Sequence, residues 1–189
     1  LRRIVAYFWI SQQGFLLTGI SALNAPGVSG ALLYAISAAV VRTGLVLLVS
    51  AVISRAGTAD VRLLGGLVRT APRMATGFLL LSTAAIGFPG TLGFVAEDVI
   101  AQKLLTSHLT TILVVLATTA LNGIVLFWAY VRVFLGPLGR AVDGAVSFPD
   151  LLPRERLISV SLSGLLLIGG FAASPLLSIR QTVVDALHQ

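Results

Sequence analysis

Two acids, Glu97 and Asp98, stand side by side in an apolar run that extends from Thr91 to Leu105. An arginine, Arg42, interrupts a second such run between Gly30 and Ile53. Ionisable groups inside a membrane span cost roughly 2.5–3.5 kcal/mol each, so each needs a physical reason to be there. A carboxyl group in that setting can carry a proton or meet a cation. Arginine keeps its charge in essentially every environment, so Arg42 is no ordinary proton relay. It can pair with Glu97 or Asp98 across helices, snorkel to an interface, or act directly on ion passage. Pairing or snorkelling is the weightier expectation.

Depth separates the two acids from a simple capping role. Phe88-Pro89-Gly90 stops one helix and Thr91 suits the N-cap of the next. Glu97 then lies about 9 Å along the axis, beyond the first turn, where the helix dipole has faded. For Glu97 the stronger reading is an ion-path or proton-carrying group, against structural roles in the helix field or in pairing. For Asp98 the order is reversed, with pairing to a basic residue of a neighbouring helix ahead. The two side chains leave the helix about 100° apart and cannot face one cavity together. A helix broken by Pro-Gly beside a membrane carboxylate also resembles the ion sites of transporters, whose freed backbone groups must face water or protein.

Other polar groups read more plainly. Gln12, Gln13 and Asn122 are amides within apolar blocks and are expected mainly to hold helices together by hydrogen bonds. His108 falls in a loop, and His188 is far from it. With no Cys and only two His there is no thiol nucleophile and no zinc or iron–sulfur ligand set. Gly65-Gly66 is too little for a nucleotide loop, and no catalytic triad can be assembled, so no cofactor is expected on this chain.

The elements that must position these groups follow from composition. Of 189 residues, 57% are hydrophobic and 11% charged, whereas a soluble domain is about one quarter charged. A soluble enzyme, a disordered tail and a disulfide scaffold are excluded on that ground. The net charge of +6 comes from arginines lying mostly between the apolar blocks, which marks loops flanking spans and argues against nucleic acid as a partner.

Candidate spans run over 4–23, 30–53, 73–87, 91–105, 110–135 and 157–179, each continuously apolar apart from isolated charges. A strand of a membrane barrel would alternate with period two. The expected fold is therefore an all-α integral membrane bundle of about five to six helices, one interrupted at Phe88-Pro89-Gly90, forming a single membrane domain over 1–189. If every block crosses, Arg2, Arg3, Arg55, Arg62, Arg69 and Lys103 share one side and Arg132, Arg140, Arg154 and Arg156 the other, so orientation stays open. Leu1 is followed at once by Arg2-Arg3 and an apolar block with no convincing cleavage site. The chain reads as a fragment that begins inside a longer protein.

The order of motifs resembles a known family. Arg2-Arg3-Ile4-Val5-Ala6-Tyr7 and Ile10-Ser11-Gln12-Gln13-Gly14-Phe15 are similar to the K-R-x-x-A-Y-x-S-I-S-H-M-G-F stretch of proton-translocating NADH:quinone oxidoreductase membrane subunits, chain M above all, and of Mrp-type cation/proton antiporters. Gly30-Ala31, Thr43-Gly44-Leu45, Gly57-Thr58-Ala59-Asp60 and Leu64-Gly65-Gly66-Leu67 follow in the family's order. So do Gly87-Phe88-Pro89-Gly90, Gly93-Phe94-Val95-Ala96-Glu97, Arg132-Val133-Phe134-Leu135-Gly136-Pro137 and Pro153-Arg154-Glu155. The resemblance covers the whole chain and corresponds to about the last third of such a subunit.

The resemblance implies a membrane subunit of a proton- or cation-translocating complex, working beside other membrane subunits in a bilayer, with protons or monovalent cations as cargo and no redox cofactor. It points to a bacterial plasma membrane. The family's acid after Pro-Gly and Gly-Phe-Val matches Glu97. Two departures stand against this: Gln12 replaces a family His, and Ala38 replaces another in the second span. The candidate path residues are thus Glu97, Asp98, Arg42 and Gln12. Two alternatives remain, a non-conducting scaffold subunit and an unrelated secondary transporter with a broken-helix substrate site.

Overall fold

A computed structural model describes residues 1–21, 25–107, 109–139 and 148–187, with side-chain surroundings given for 1–21, 27–102, 110–139 and 148–172. Those residues form helices α1 (Arg2–Ser21), α2 (Ala25–Ala56), α3 (Pro72–Ala85), α4 (Leu92–Ser107), α5 (Leu109–Phe134) and α6 (Pro153–Leu187). No strand occurs among the described residues. Three stretches are long and apolar enough to cross a bilayer alone: Gly27–Ala56, Thr110–Phe134 and Pro153–Ala172. His108, His188 and Arg140 lie outside the described residues.

The 14 residues of α3 and the 16 of α4 reach only about 21 and 24 Å, each short of the ~30 Å hydrocarbon layer. They act as two halves of one crossing. Going down α3 and α4, contacts move steadily up α2 and α1. Gly77 meets Leu48, Gly44 meets Leu81, Gln12 reaches Ala85, Ser37 meets Gly93, and Ile100 packs against Gly30 and Gly19. The chain therefore crosses five times, within the expected five to six, and the helix interruption at Phe88-Pro89-Gly90 stands as expected.

This pairing of α3 with α4 corrects the charge split that follows if every apolar block crosses. Backbone hydrogen bonds join the 57–71 loop to the end of α5, and the Arg55 side chain joins the end of α2 to the segment before α6, all at one end of the bundle. Gly66 N–H donates to Leu135 O at 3.2 Å and Gly139 N–H to Gly65 O at 3.2 Å. Arg55 pairs with Glu155 at 2.6 Å. Arg2, Arg3, Arg55, Arg62, Arg69, Arg73, Arg132, Arg154 and Arg156 thus share one end, while Lys103 and Arg180 lie toward the other. By the positive-inside rule the arginine-rich end is the one expected to face the cytoplasm.

Helix ends at that face are tied down by long-range caps. α3 starts at Pro72 with no cap from its own Ala71. Asp150 supplies one instead, accepting from Arg73 N at 3.0 Å, Met74 N at 3.1 Å and Leu151 N at 2.7 Å. At the start of α6, Glu155 accepts from Leu152 N at 2.9 Å as well as from Arg55, the acid half of a capping box. Asp150→Ala is expected to lower stability by about 1–2 kcal/mol, the upper range for a lost cap. Thermal unfolding of the assembled protein would show it, and an unchanged midpoint would refute this role.

α2 is the hub and packs on α1, α3, α4 and α6. Its buried face carries Tyr34, Ala38, Val41, Leu45, Leu48 and Val52, a helical stripe whose burial drives the assembly of this half of the bundle. Phe78, Tyr130 and Phe134 add an aromatic cluster where α3 meets α5, with Phe78 and Phe134 centroids 5.3 Å apart.

Candidate functional site

The site is built around the break between α3 and α4. Pro89 has no N–H, so the Ala85 carbonyl lacks its helical donor. α3 ends instead in a Schellman turn, with Phe88 N–H to Thr83 O at 3.1 Å and Gly87 N–H to Ala84 O at 3.3 Å. Gly87 takes φ 67, the left-handed conformation this turn needs and only glycine adopts freely. Gln12 Nε2 then donates to the orphaned Ala85 O at 3.4 Å, so α1 satisfies what proline left open.

The second half starts as the sequence predicts. Thr91 caps α4, its Oγ1 accepting from Phe94 N at 3.4 Å while donating to Phe88 O at 2.7 Å. α6 touches the break through Gly170, where a Cβ would collide with Gly90 O. No larger residue allows that approach.

Glu97 folds back over this turn. A Cβ built on Gly87 would collide with Glu97 Oε2 and stand 2.9 Å from its Cδ. The carboxyl group therefore rests on the bare face of Gly87, half-buried. No basic group lies within ion-pair distance of it among the described residues. Tyr34, buried on α2, lies in the field of both Glu97 and Arg42. Buried hydroxyls of Ser37, Ser82 and Thr91, and the Asn122 Nδ2–Ser11 Oγ hydrogen bond at 2.9 Å, complete a polar layer at mid-depth. Asn122 and Gln12 both join helices, as expected of amides there.

Two expectations about charges differ from the structure. Among the described residues Asp98 pairs with no basic group of a neighbouring helix. It is exposed, and its Oδ2 accepts from Gln102 Nε2 at 2.8 Å on the same helix. The ~100° between successive side chains turns it outward when Glu97 faces in. Arg42 pairs with neither acid among the described residues. Its guanidinium lies over the Trp9 ring, 5.5 Å from the centroid, a cation–π contact.

Arg42 and Gln12 do share a cavity. About 160 Å³ is lined by Gln12, Gln13, Leu16, Tyr34, Ala38 and Arg42, with Ala35 and Ala39. Arg42 Nε and Gln12 Oε1 are both buried there without a partner, one donor and one acceptor. Of the sequence candidates, the fold thus gathers Gln12 and Arg42 in one cavity, sets Glu97 on the break, and leaves Asp98 outside. Sequence reasoning missed Tyr34 and Gly87. Tyr34, Ala38 and Arg42 are spaced i, i+4, i+8 on α2, a signal that was available. Gly87 was not foreseeable as the seat of Glu97, because ten residues and a helix break separate them.

Comparison with known proteins agrees with this architecture. The family model described as "NADH:quinone oxidoreductase/Mrp antiporter, TM" matches residues 1–122. NADH-quinone oxidoreductase subunit M of Mycobacterium tuberculosis is 27% identical over 185 residues, covering 98% of this chain and 33% of the relative. NADH-ubiquinone oxidoreductase chain 4 of Chondrus crispus is 29% identical over 189 residues, covering 100% of this chain and 38% of the relative. Among solved structures, respiratory complex I from Thermus thermophilus with bound NADH matches with a TM-score of 0.79 at 25% identity, over 88% of this chain and 34% of that one. The Mrp complex from Dietzia shares the fold, with a TM-score of 0.80 at 22% identity over 92% of this chain and 40% of that one. This chain spans about a third of the length of the curated relatives it matches.

Proposed function

Since this chain belongs to the NADH:quinone oxidoreductase/Mrp antiporter transmembrane family, we propose that it forms part of a membrane subunit that passes protons or monovalent cations within a multisubunit complex, with Glu97 as the group that takes up and releases the charge. The carrying observation is the seat of Glu97, a carboxyl group with no ion-pair partner among the described residues, held on Gly87 at a helix break. A carboxyl group left unpaired at that depth is costly, and proton exchange is the chemistry that gives it a use. Gln12, Tyr34 and Arg42 serve the path as hydrogen-bonding and field-setting groups beside it. Asp98, exposed and bonded to Gln102, has no part in the exchange. The subunit works in a plasma membrane beside other membrane subunits; the relatives are named as a subunit and a complex, which supports the multisubunit setting.

One observation favours the scaffold reading: Gln12 and Ala38 stand where the family places histidines, and Ala38 offers no proton-carrying group. The reading as an unrelated secondary transporter is set aside by the family match. A hydrophobic carbodiimide separates the two that remain, since it reacts with protonated carboxyls in apolar surroundings. In the full-length subunit within its complex, labelling of Glu97 is expected to rise in step with loss of proton flux. Full labelling of Glu97 with flux intact would favour the scaffold.

A further inference from the structure

The arginine-rich end holds a groove of about 590 Å³ that the mid-membrane site does not use. Arg62 comes from the 57–71 loop, while Arg132 and Trp128 come from the last two turns of α5. The groove is preformed. The 65–66 and 135–139 backbones interlock by the Gly66–Leu135 and Gly139–Gly65 hydrogen bonds, and a Cβ at Gly139 would collide with Leu63 O. Among the described residues no acidic side chain lines it, and both arginines are exposed and make no ion pair.

Leading into this groove is an apolar track on α5. Leu121, Ile124, Trp128, Val131 and Leu135 are all exposed at 37% or more, spaced by three or four residues so that they form one stripe. Trp128 lies one turn before Arg132, where tryptophan sits at the level of lipid headgroups. A ligand that fits must carry a negative head for two arginines and a long apolar body for the stripe.

We propose that this groove binds an anionic phospholipid of the cytoplasmic leaflet, its phosphate between Arg62 and Arg132 and an acyl chain along the Leu121–Leu135 stripe. Two guanidiniums favour a negatively charged headgroup over a zwitterionic one, and arginine's planar fork suits phosphate. The leaflet follows from the positive-inside orientation of this end. An uncharged helix, whether of another subunit or of the rest of this one, would cover the stripe but leave both charges unmet.

The test places a photo-crosslinking amino acid at Val131 in the full-length subunit within its complex, reconstituted in bilayers of equal phosphatidylglycerol and phosphatidylethanolamine. Mass spectrometry then identifies the adduct. Phosphatidylglycerol adducts are expected to exceed phosphatidylethanolamine adducts. Arg62→Gln and Arg132→Gln should each reduce that preference roughly fivefold, in line with one surface charge near anionic lipid. Arg132→Lys, which keeps the charge, should retain most of it and controls for misfolding. Equal adducts of the two lipids, a preference indifferent to both arginines, or an adduct to another polypeptide would each overturn the proposal.

Discussion

Glu97→Gln is expected to reduce proton flux through the intact complex in liposomes by roughly a hundredfold or more, the range lost when a positioned proton-transfer group is removed. The substitution keeps size and hydrogen-bonding capacity and removes only the titratable group. Glu97 makes no ion pair among the described residues, so its loss strands no buried partner and the helix break should stay assembled. Glu97→Asp should restore part of the flux, because the carboxyl returns with a shorter reach. Asp98→Asn is the matched neighbour. Its side chain is exposed and bonded to Gln102 on the same helix, so flux should remain near wild type. Equal losses at 97 and 98 would refute the assignment of exchange to Glu97 alone.

The second large effect is expected at Gly87. Its φ of 67 costs any L side chain about 1–2 kcal/mol, and the new methyl would also occupy the seat of the Glu97 carboxyl. Gly87→Ala should therefore lower stability and flux together. Gly57 separates the two causes, since it has the same φ of 67 but nothing within 4 Å of a built Cβ. Gly57→Ala is expected to lose comparable stability with flux retained. If both variants conduct normally, the contact between Gly87 and Glu97 has no role in the path.

Much of this was legible in the sequence because membrane physics leaves a strong imprint. Runs of about 20 apolar residues marked α2, α5 and α6, and Phe88-Pro89-Gly90 with Thr91 marked the break and its cap. Boundaries shifted by a few residues, for example 30–53 expected against Ala25–Ala56 found. That shift reflects helices running past the apolar core, where hydropathy no longer reports them.

What stayed hidden depended on pairings between distant segments. Hydropathy cannot tell one broken crossing from two short ones, so the sides of the later arginines were undecided. That ambiguity is resolved by contacts such as Arg55 with Glu155 and Asp150 with the start of α3, 100 and 77 residues apart in sequence. The partner of Arg42 was sought among acids because charge is what a sequence displays. The fold supplied the face of Trp9 instead. Glu97 stood out because its depth past the cap could be counted, whereas its seat on Gly87 arises only once the Schellman turn folds back.

The central claim is that the Glu97 carboxyl gains and loses a proton during transport, and infrared difference spectroscopy of the working complex in bilayers observes that event directly. Spectra taken with and without an imposed proton gradient should contain a protonated-carboxyl band that shifts in heavy water, disappears in Glu97→Gln and persists in Asp98→Asn. A band unchanged by Glu97→Gln, in a complex that still moves protons, would contradict the account.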